Sequence, residues 1–358
     1  MKPSLKLTAS LGSLALMPLF AAAQVVTFVD LNPTDSISSE AYATTGGQQV
    51  GYANTIGNAH AAIWSGTAGS FVDLNPGGDY DESYLYATTG SQQVGYAGSH
   101  GTFNAGIWSG TAESFVNLHP AGAFYSYGIA TTGSQQAGVA AFGNVHHAGI
   151  WSGTAQSFVD LHPPGADESE VFSTTGSQQS GIIVVGGLSH AGIWSGTPGS
   201  FVDLHPAGAT MSFAFSTIGS QQSGYARFGS PHAGIWFGTA GSFVDLNPAG
   251  ASRSWANATT GGQQAGFATI GGVDHAGIWF GTAGSFVDLS TCLGADYATS
   301  RAEAIWTDGS TVLVAGWSRH IPSFSVHAIL WTITVPEPSS ASLILLSFAG
   351  FGILRRRT

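Results

Sequence analysis

His147-Ala148-Gly149-Ile150-Trp151-Ser152-Gly153-Thr154, followed two residues later by Ser157-Phe158-Val159-Asp160-Leu161, is a phrase that the chain repeats almost from end to end. Its tryptophan returns as Trp64, Trp108, Trp151, Trp194, Trp236 and Trp279, at intervals of 42 to 44 residues. Its phenylalanine returns as Phe28, Phe71, Phe115, Phe158, Phe201, Phe243 and Phe286. A glutamine pair beginning at Gln48, Gln92, Gln135, Gln178, Gln221 and Gln263 keeps the same period. A fixed period of 20 to 50 residues denotes a repeat architecture and outranks every smaller motif.

Within one period the chain reads as four short strands. Residues 71–74, 84–88, 92–97 and 105–109 are β-type runs, separated by Asn75-Pro76-Gly77-Gly78, Thr89-Gly90-Ser91 and a Gly-containing turn. Four strands per 43 residues is the arithmetic of a propeller blade. Strands buried between neighbouring blades have little reason to alternate polar and apolar residues. The chain thus predicts an all-β, seven-bladed β-propeller over residues 24–334. It starts with a lone Phe28-Val29-Asp30-Leu31 strand and ends on His327-Ala328-Ile329-Leu330-Trp331 with no Phe-Val run after it. The N-terminal strand is therefore expected to complete the seventh blade, leaving no open edge. A β-solenoid is the alternative for such a period, but its coils are shorter and the split blade argues against an open stack. The seventh unit diverges most: Ala304-Ile305-Trp306-Thr307-Asp308-Gly309 replaces the usual run and the glutamine pair is lost.

Charge is concentrated at the ends. Lys2 and Lys6 open the chain and Arg355, Arg356 and Arg357 close it. Between Gln24 and Val335 only Arg227, Arg253, Arg301 and Arg319 stand against 19 acidic residues, a formal charge of −15. Such a body cannot track a phosphate backbone, which excludes nucleic acid as partner. With Cys292 the only cysteine, no intramolecular disulfide forms, and a small buried side chain is its expected role.

Residues 1–23 read as a secretory signal peptide: a lysine-bearing start, an apolar stretch from Leu11 to Phe20, and Ala21-Ala22-Ala23, with cleavage expected between Ala23 and Gln24. Residues 335–358 carry Pro336-Glu337-Pro338, an apolar run from Ala341 to Leu354 expected to form a short hydrophobic helix, and then Arg355-Arg356-Arg357. Fourteen apolar residues fall short of the roughly 20 of a lasting span, while the arginines suit an end held on the cytoplasmic side. These three parts in this order resemble the PEP-CTERM sorting tail. The resemblance implies export, recognition by an exosortase-type membrane protease, transient residence in the inner membrane and delivery to the envelope or matrix of a Gram-negative bacterium. An uncleaved anchor is the plainer alternative. The repeated His-Ala-Gly-Ile-Trp phrase also resembles bacterial extracellular repeats named for a His-Ala-Phe motif, although Gly or Ala stands in place of the Phe in most copies. That resemblance implies an exported repeat protein and no assigned chemistry.

Each repeated residue type suggests a chemistry and a plainer role. Six histidines, His60, His147, His190, His232, His275 and His327, recur once per unit, with Asn104 in the second. Their match with Asp30, Asp73, Asp160, Asp203, Asp245 and Asp288 points to structural hydrogen bonding rather than metal, and no metal or other cofactor is expected. His119, His162 and His205 alternate with Asn32, Asn75 and Asn247 before proline, as turn-forming side chains do. The glutamine pairs are expected to satisfy interblade backbone, and the tryptophans to fill the seams. No Gly-x-Ser-x-Gly, His-Glu-x-x-His or phosphate loop is present, so no catalytic residue is assigned.

Variation between units marks where a ligand would sit. The segment after Phe-Val-Asp-Leu differs in every unit, and Tyr80, Asp81, Glu82, Tyr125, Glu170, Trp255 and Tyr297 are the candidate ligand-binding residues. The expected function is that of a non-enzymatic surface or matrix protein binding exopolysaccharide or another surface ligand. An extracellular carbohydrate-active enzyme, with carboxylates from different blades meeting at the channel mouth, is the alternative.

Overall fold

The computed structural model describes residues 25–334 apart from Ile56 and His100. The expected signal peptide with its Ala23–Gln24 cleavage point, and the expected tail with its hydrophobic helix, lie outside the described residues.

Seven four-stranded antiparallel sheets follow one another along the chain. In blade 3 the inner strand is Tyr125–Thr131, the second Gln136–Phe142, the third Val145–Trp151, and the outer strand Val159–Asp160. The inner strands of successive blades adjoin one another around a closed ring, with blade 7 returning to blade 1. Outside the closing blade, the Phe-Val-Asp-Leu runs contribute only two residues each to the sheet. A 3₁₀ turn such as Ala155–Ser157 delivers the chain sideways just before the phenylalanine.

Closure follows the expected scheme. Val25–Asp30 forms the outer strand of blade 7, antiparallel to Ser325–Thr334, with Phe28 opposite Trp331 and Asp30 opposite Ile329. The Tyr297 hydroxyl donates to Asp30 Oδ2 at 2.8 Å, and the Tyr297 ring meets Phe28 edge-on at 5.5 Å. The ring is therefore joined by hydrogen bonds and by side-chain burial at once.

Two glycine columns explain the repeated spelling. The inner strand of each blade has an irregular register, in blade 1 between Ala41 and Ala43, which pushes a carbonyl toward the second strand. A Cβ on Gly51 would lie 1.9 Å from the Glu40 carbonyl oxygen, so the residue two after the second glutamine of each pair must have no side chain. The second column is Gly149, where a Cβ would lie 2.1 Å from the Phe158 ring. Blade 1 has Ala62 at this point, and there the Trp64–Phe71 ring separation is 6.1 Å instead of the 5.0 Å of Trp151–Phe158. The extra methyl group moves the phenylalanine outward.

The core lies in the seams. Trp64, Trp108, Trp151, Trp194, Trp236, Trp279 and Trp331 are fully buried. Trp108 of blade 2 packs with Ile63 and Leu74 of blade 1, and its indole N–H reaches the Leu74 carbonyl at 2.9 Å. Each seam therefore buries an aromatic anchor from one blade and aliphatic side chains from its neighbour.

Deleting residues 25–32 removes the outer strand of blade 7 and the fully buried Leu31. Truncating one such leucine costs roughly 2–5 kcal/mol. The deletion variant is expected to unfold at a clearly lower temperature in calorimetry, with the whole body affected. An unchanged melting transition would show that the ring does not depend on this strand.

Candidate functional site

The repeated polar residues form a frame rather than a site. His60, His147, His190, His232, His275 and His327 each bond through Nδ1 to an aspartate of the outer strand, at 2.7 to 2.9 Å. The other oxygen of that aspartate accepts a backbone N–H two residues on, as Asp160 Oδ1 does from His162. Asp30 is held below the usual carboxylate range: burial pushes it up, but bonds from His327, the Asn32 backbone and Tyr297 outweigh that push. The pre-proline residues then turn inward. His162 Nδ1 lies 2.9 Å from the Ser169 hydroxyl of the next blade, and Ser39 and Ser254 donate in the same way to Asn32 and Asn247. His119 and His205 also reach a local carbonyl through Nε2, at 3.0 Å. This assigns the proton to Nε2 and makes Nδ1 the acceptor of the serine hydroxyl.

On the opposite face the glutamines divide the work. The first of each pair reaches the next blade, where Gln135 Oε1 accepts from Thr174 at 2.6 Å and Gln179 at 3.1 Å. The second keeps its Oε1 at home, where Gln136 Oε1 accepts the Gly153 N–H at 2.9 Å, while its Nε2 donates back to Gln92 of the previous blade at 2.9 Å. This ladder links blades 1 to 6. At the junction with blade 7, Gln263 instead accepts from Thr260 in its own turn.

What changes from blade to blade is the side of the inner strand that flanks the buried serine. Next after that serine stand Glu40, Tyr84, Tyr127, Glu170, Phe213, Trp255 and Arg301. Two cavities open along this surface. The larger, about 440 Å³, lies among blades 2, 3 and 4 and is walled by Tyr86, Tyr96, Tyr127 and Phe172, with Glu170 and His146 as its polar groups. Glu170 Oε1 lies 2.6 Å from His146 Nδ1, and His146 Nε2 meets the Tyr125 hydroxyl. The smaller, about 290 Å³, lies among blades 5, 6 and 7, between Trp255 and Phe267 on one side and Arg253, Arg301, Asn257 and Glu303 on the other.

Charge in the smaller cavity is tightly tied. The nearly buried Asp274 accepts from Arg301 Nη2 at 2.6 Å and Nε at 2.9 Å, and from Thr269 at 2.5 Å. Burial acts to raise its carboxyl, but these bonds prevail and hold it low. Glu303 accepts from Trp317 Nε1 at 3.0 Å and Asn257 Nδ2 at 2.8 Å. Burial and the neighbouring Glu40 nonetheless push it up to about 7, and burial raises Glu40 as well. Carboxylates from blades 7 and 1 thus sense each other across the closure.

The candidate residues read from the sequence fall in different places. Glu170 and Trp255 stand on inner strands and line the two cavities, and Tyr125 opens its strand beside His146. Tyr80 packs against Phe115 at 5.1 Å and accepts from Asn117, while Tyr297 serves the closure. Asp81 lies in the turn before Glu82, which begins the inner strand of blade 2. Among the described residues no group of three or more His, Cys, Asp or Glu side chains is arranged to hold a metal. Cys292 is half-buried, and burial raises its thiol. Sequence reading missed Tyr86, Tyr96, Tyr127 and His146, and on the other side Glu40, Arg301 and Glu303. For Glu40, Tyr127 and Arg301 the signal was there in the residue following each inner-strand serine, which changes between Glu, Tyr, Phe, Trp and Arg along the seven units.

Residues 334–357 match the family model described as the PEP-CTERM protein-sorting motif. This motif implies an exported protein sorted to the cell surface and processed by an exosortase. No curated protein matches the chain in sequence. Among solved structures, similarity extends to a puromycin-hydrolyzing peptidase of Mycobacterium tuberculosis, with TM-score 0.55 and 13% identity over 83% of this chain and 55% of that one. It extends also to an oligogalacturonate lyase from Vibrio parahaemolyticus, with TM-score 0.52 and 9% identity over 88% and 98% of the two chains. A prolyl endopeptidase matches with TM-score 0.56 and 10% identity over 82% and 48%. The chain spans about half the length of the peptidases it matches. At these identities the likeness is one of fold, and fold does not carry activity.

The frame has a pH dependence with a definite sign. Burial holds His162 and His205 below the ordinary histidine value of 6.5, and the neighbouring His147 and His190 add to the effect. The unfolded chain therefore binds more protons than the folded one just below pH 6.5, so this contribution is complete above 6.5 and is lost as pH falls through the lower folded values. Asparagine already fills the equivalent positions at Asn32, Asn75 and Asn247. The double variant His162→Asn, His205→Asn is expected to stay folded at pH 7 and to lose less melting temperature than the parent between pH 6.5 and 5. An equal acid loss in both proteins would refute the assignment.

Proposed function

We propose that this protein is an exported surface or matrix component that acts by binding exopolysaccharide or another surface glycan, with a sugar unit held in the channel between blades 2, 3 and 4. The observation that carries this reading is the larger cavity, where tyrosine and phenylalanine faces surround a few fixed polar groups. Pockets of a few hundred Å³ with apolar walls and sparse polar groups suit small ligands, and aromatic faces suit the C–H faces of sugars. Of the candidate residues, Glu170 and Tyr125 belong to this site and Trp255 to the smaller cavity, with Asp81 and Glu82 on the adjoining rim. Tyr80 would set the loop that enters the inner strand of blade 2, and Tyr297 would act at the closure of blade 7 instead. The likeness of the repeats to His-Ala-Phe repeats accords with an exported scaffold of this kind.

A second reading rests on Glu40 and Glu303. Two carboxylates from different blades, one of them titrating near neutrality, are the elements of glycoside hydrolysis. Incubating the full chain with the host's exopolysaccharide separates the readings. Retention without shortening of the polymer is the expected result, with retention at least tenfold weaker for Tyr127→Ala. Chain cleavage that vanishes in Glu303→Gln would favour the enzyme.

Delivery to the surface would proceed by removal of residues 1–23 after Ala23 and by recognition of Pro336-Glu337-Pro338 while the apolar run pauses in the inner membrane. Two prolines would disfavour helix there and leave the segment open to a protease, and Arg355 to Arg357 would hold its end inside. Glu337→Ala is expected to leave the propeller folded and to accumulate full-length protein in the inner membrane, as followed by mass and fractionation in the native host. Wild-type protein that keeps Thr358 at its final location would mean that the tail is only an anchor.

A further inference from the structure

The two cavities have similar walls and opposite charge. In the smaller one the protein supplies its own cations to the aromatic faces. The Arg301 guanidinium sits 4.2 Å from the Phe267 ring centre, and that of Arg253 5.2 Å from the Trp255 ring centre. In the larger one the faces belong to Tyr86, Tyr96, Tyr127 and Phe172, and neither lysine nor arginine lines it. The described arginines stand on blades 5, 6 and 7, at 227, 253, 301 and 319.

Around the larger cavity the charged neighbours are carboxylates. Glu82 acts on Tyr84, Tyr96 and Tyr127, Glu40 acts on Tyr84 and Tyr86, and Glu168 and Glu170 act on Tyr125. Burial first, then neighbouring phenols and carboxylates, hold these hydroxyls above their ordinary value. The rings therefore stay neutral and keep the negative face of the aromatic quadrupole. His146 is engaged on both ring nitrogens, Nδ1 lying 2.6 Å from Glu170 Oε1 and Nε2 meeting the Tyr125 hydroxyl, which leaves the second carboxylate oxygen of Glu170 open to a ligand.

We infer that the larger cavity takes an organic ammonium group, carried either by an amino sugar of a surface polysaccharide or by a free quaternary amine. The inference rests on reading this cavity as the ligand site and names the chemistry it selects. Aromatic faces attract a cation through their quadrupole, and most strongly where water is excluded. Glu170 in the wall and Glu82 and Glu168 nearby add charge attraction, and a body with a formal charge of −15 favours approach of a cation. An anionic sugar would meet repulsion from the same carboxylates. A bare metal ion would find too few ligands, since no cluster of three His, Cys, Asp or Glu side chains stands among the described residues.

The test uses the full chain in a non-ionic polyoxyethylene detergent and calorimetric titration with four probes: a glucosamine oligomer, its N-acetylated counterpart, choline, and 3,3-dimethylbutan-1-ol as the neutral isostere of choline. The expected result is at least tenfold tighter binding of each cation than of its neutral counterpart. Glu170→Gln is expected to reduce that preference severalfold, Tyr127→Phe to keep it because the ring face remains, and Tyr127→Leu to lose it, with melting curves confirming that each variant is folded. Equal binding of charged and neutral sugars would overturn the inference and leave saccharide binding standing. Choline bound with no sugar bound would support the inference and overturn the saccharide reading. No binding of any probe would overturn both.

Discussion

The ring rests on a buried serine. In every blade the third strand is flanked on its outer side by a strand of only two residues, save at the closure, so the backbone ladder stops short. Gly149 and Ile150 find partners in Asp160 and Val159, and the Ala148 carbonyl accepts the Leu161 N–H, but the Ala148 N–H is left over. A buried N–H without an acceptor would cost about 1–3 kcal/mol. Ser169, reaching across from the next blade, accepts it at 2.9 Å, and the same bond recurs at Ala61, Ala105, Ala191, Ala233, Ala276 and Ala328. A blade is therefore not complete in itself. Its hydrogen bonding is finished by its neighbour, which makes the ring the unit of stability rather than the blade.

That dependence has to be met at the one place where the chain is cut. Ala328 of blade 7 is served by Ser39 of blade 1, and Asp30, on the strand brought from the other end of the chain, takes the histidine of blade 7. The glutamine ladder ends before this point, and other contacts take over. A Cβ at Gly46 would meet the Trp306 ring at 2.8 Å, so aromatic contact replaces the amide bridge. The divergence of the seventh unit is in this sense the consequence of closure, since its neighbours on either side were fitted to a different partner.

Much of this was legible in the repeat because seam chemistry is local. Glutamine beside glutamine, histidine thirteen residues before aspartate, and tryptophan with a small residue two places before it each need only one blade and its neighbour, so one unit predicts the next. The serine escaped notice although it recurs once per unit, because a single small polar residue amid variable neighbours does not by itself declare that it is buried and bonded to the next blade. The channel residues escaped for a related reason. Glu170 and Trp255 belong to the variable segment after Phe-Val-Asp-Leu, and the inner strand has already begun there, at Glu168 and Ala251. His146 reads as one half of a His-His pair in which only His147 belongs to the repeat. Its contact with Glu170 joins adjacent blades and leaves no mark in either unit taken alone.

A ring of seven similar blades can bind a ligand asymmetrically only by departing from its own repeat. The departures here are confined. The face of each inner strand that serves the seam carries serine followed by a small or aliphatic residue, while the other face is free to vary, because changing it disturbs no interblade bond. Variation has used that freedom to sort charge, with Glu40, Glu170 and the tyrosines on blades 1 to 4, and Arg253 and Arg301, beside Glu303, on blades 6 and 7. The arginines are spent on Asp274 and on the faces of Phe267 and Trp255, which stiffens that half of the channel. The tyrosines opposite pack on one another and on Phe103 around Tyr96, at 4.9 to 6.0 Å. A channel with one half cross-braced internally and the other lined by neutral rings and carboxylates is polarised before any ligand arrives. The frame thus decides where chemistry is allowed, and the unbraced half decides which charge it favours.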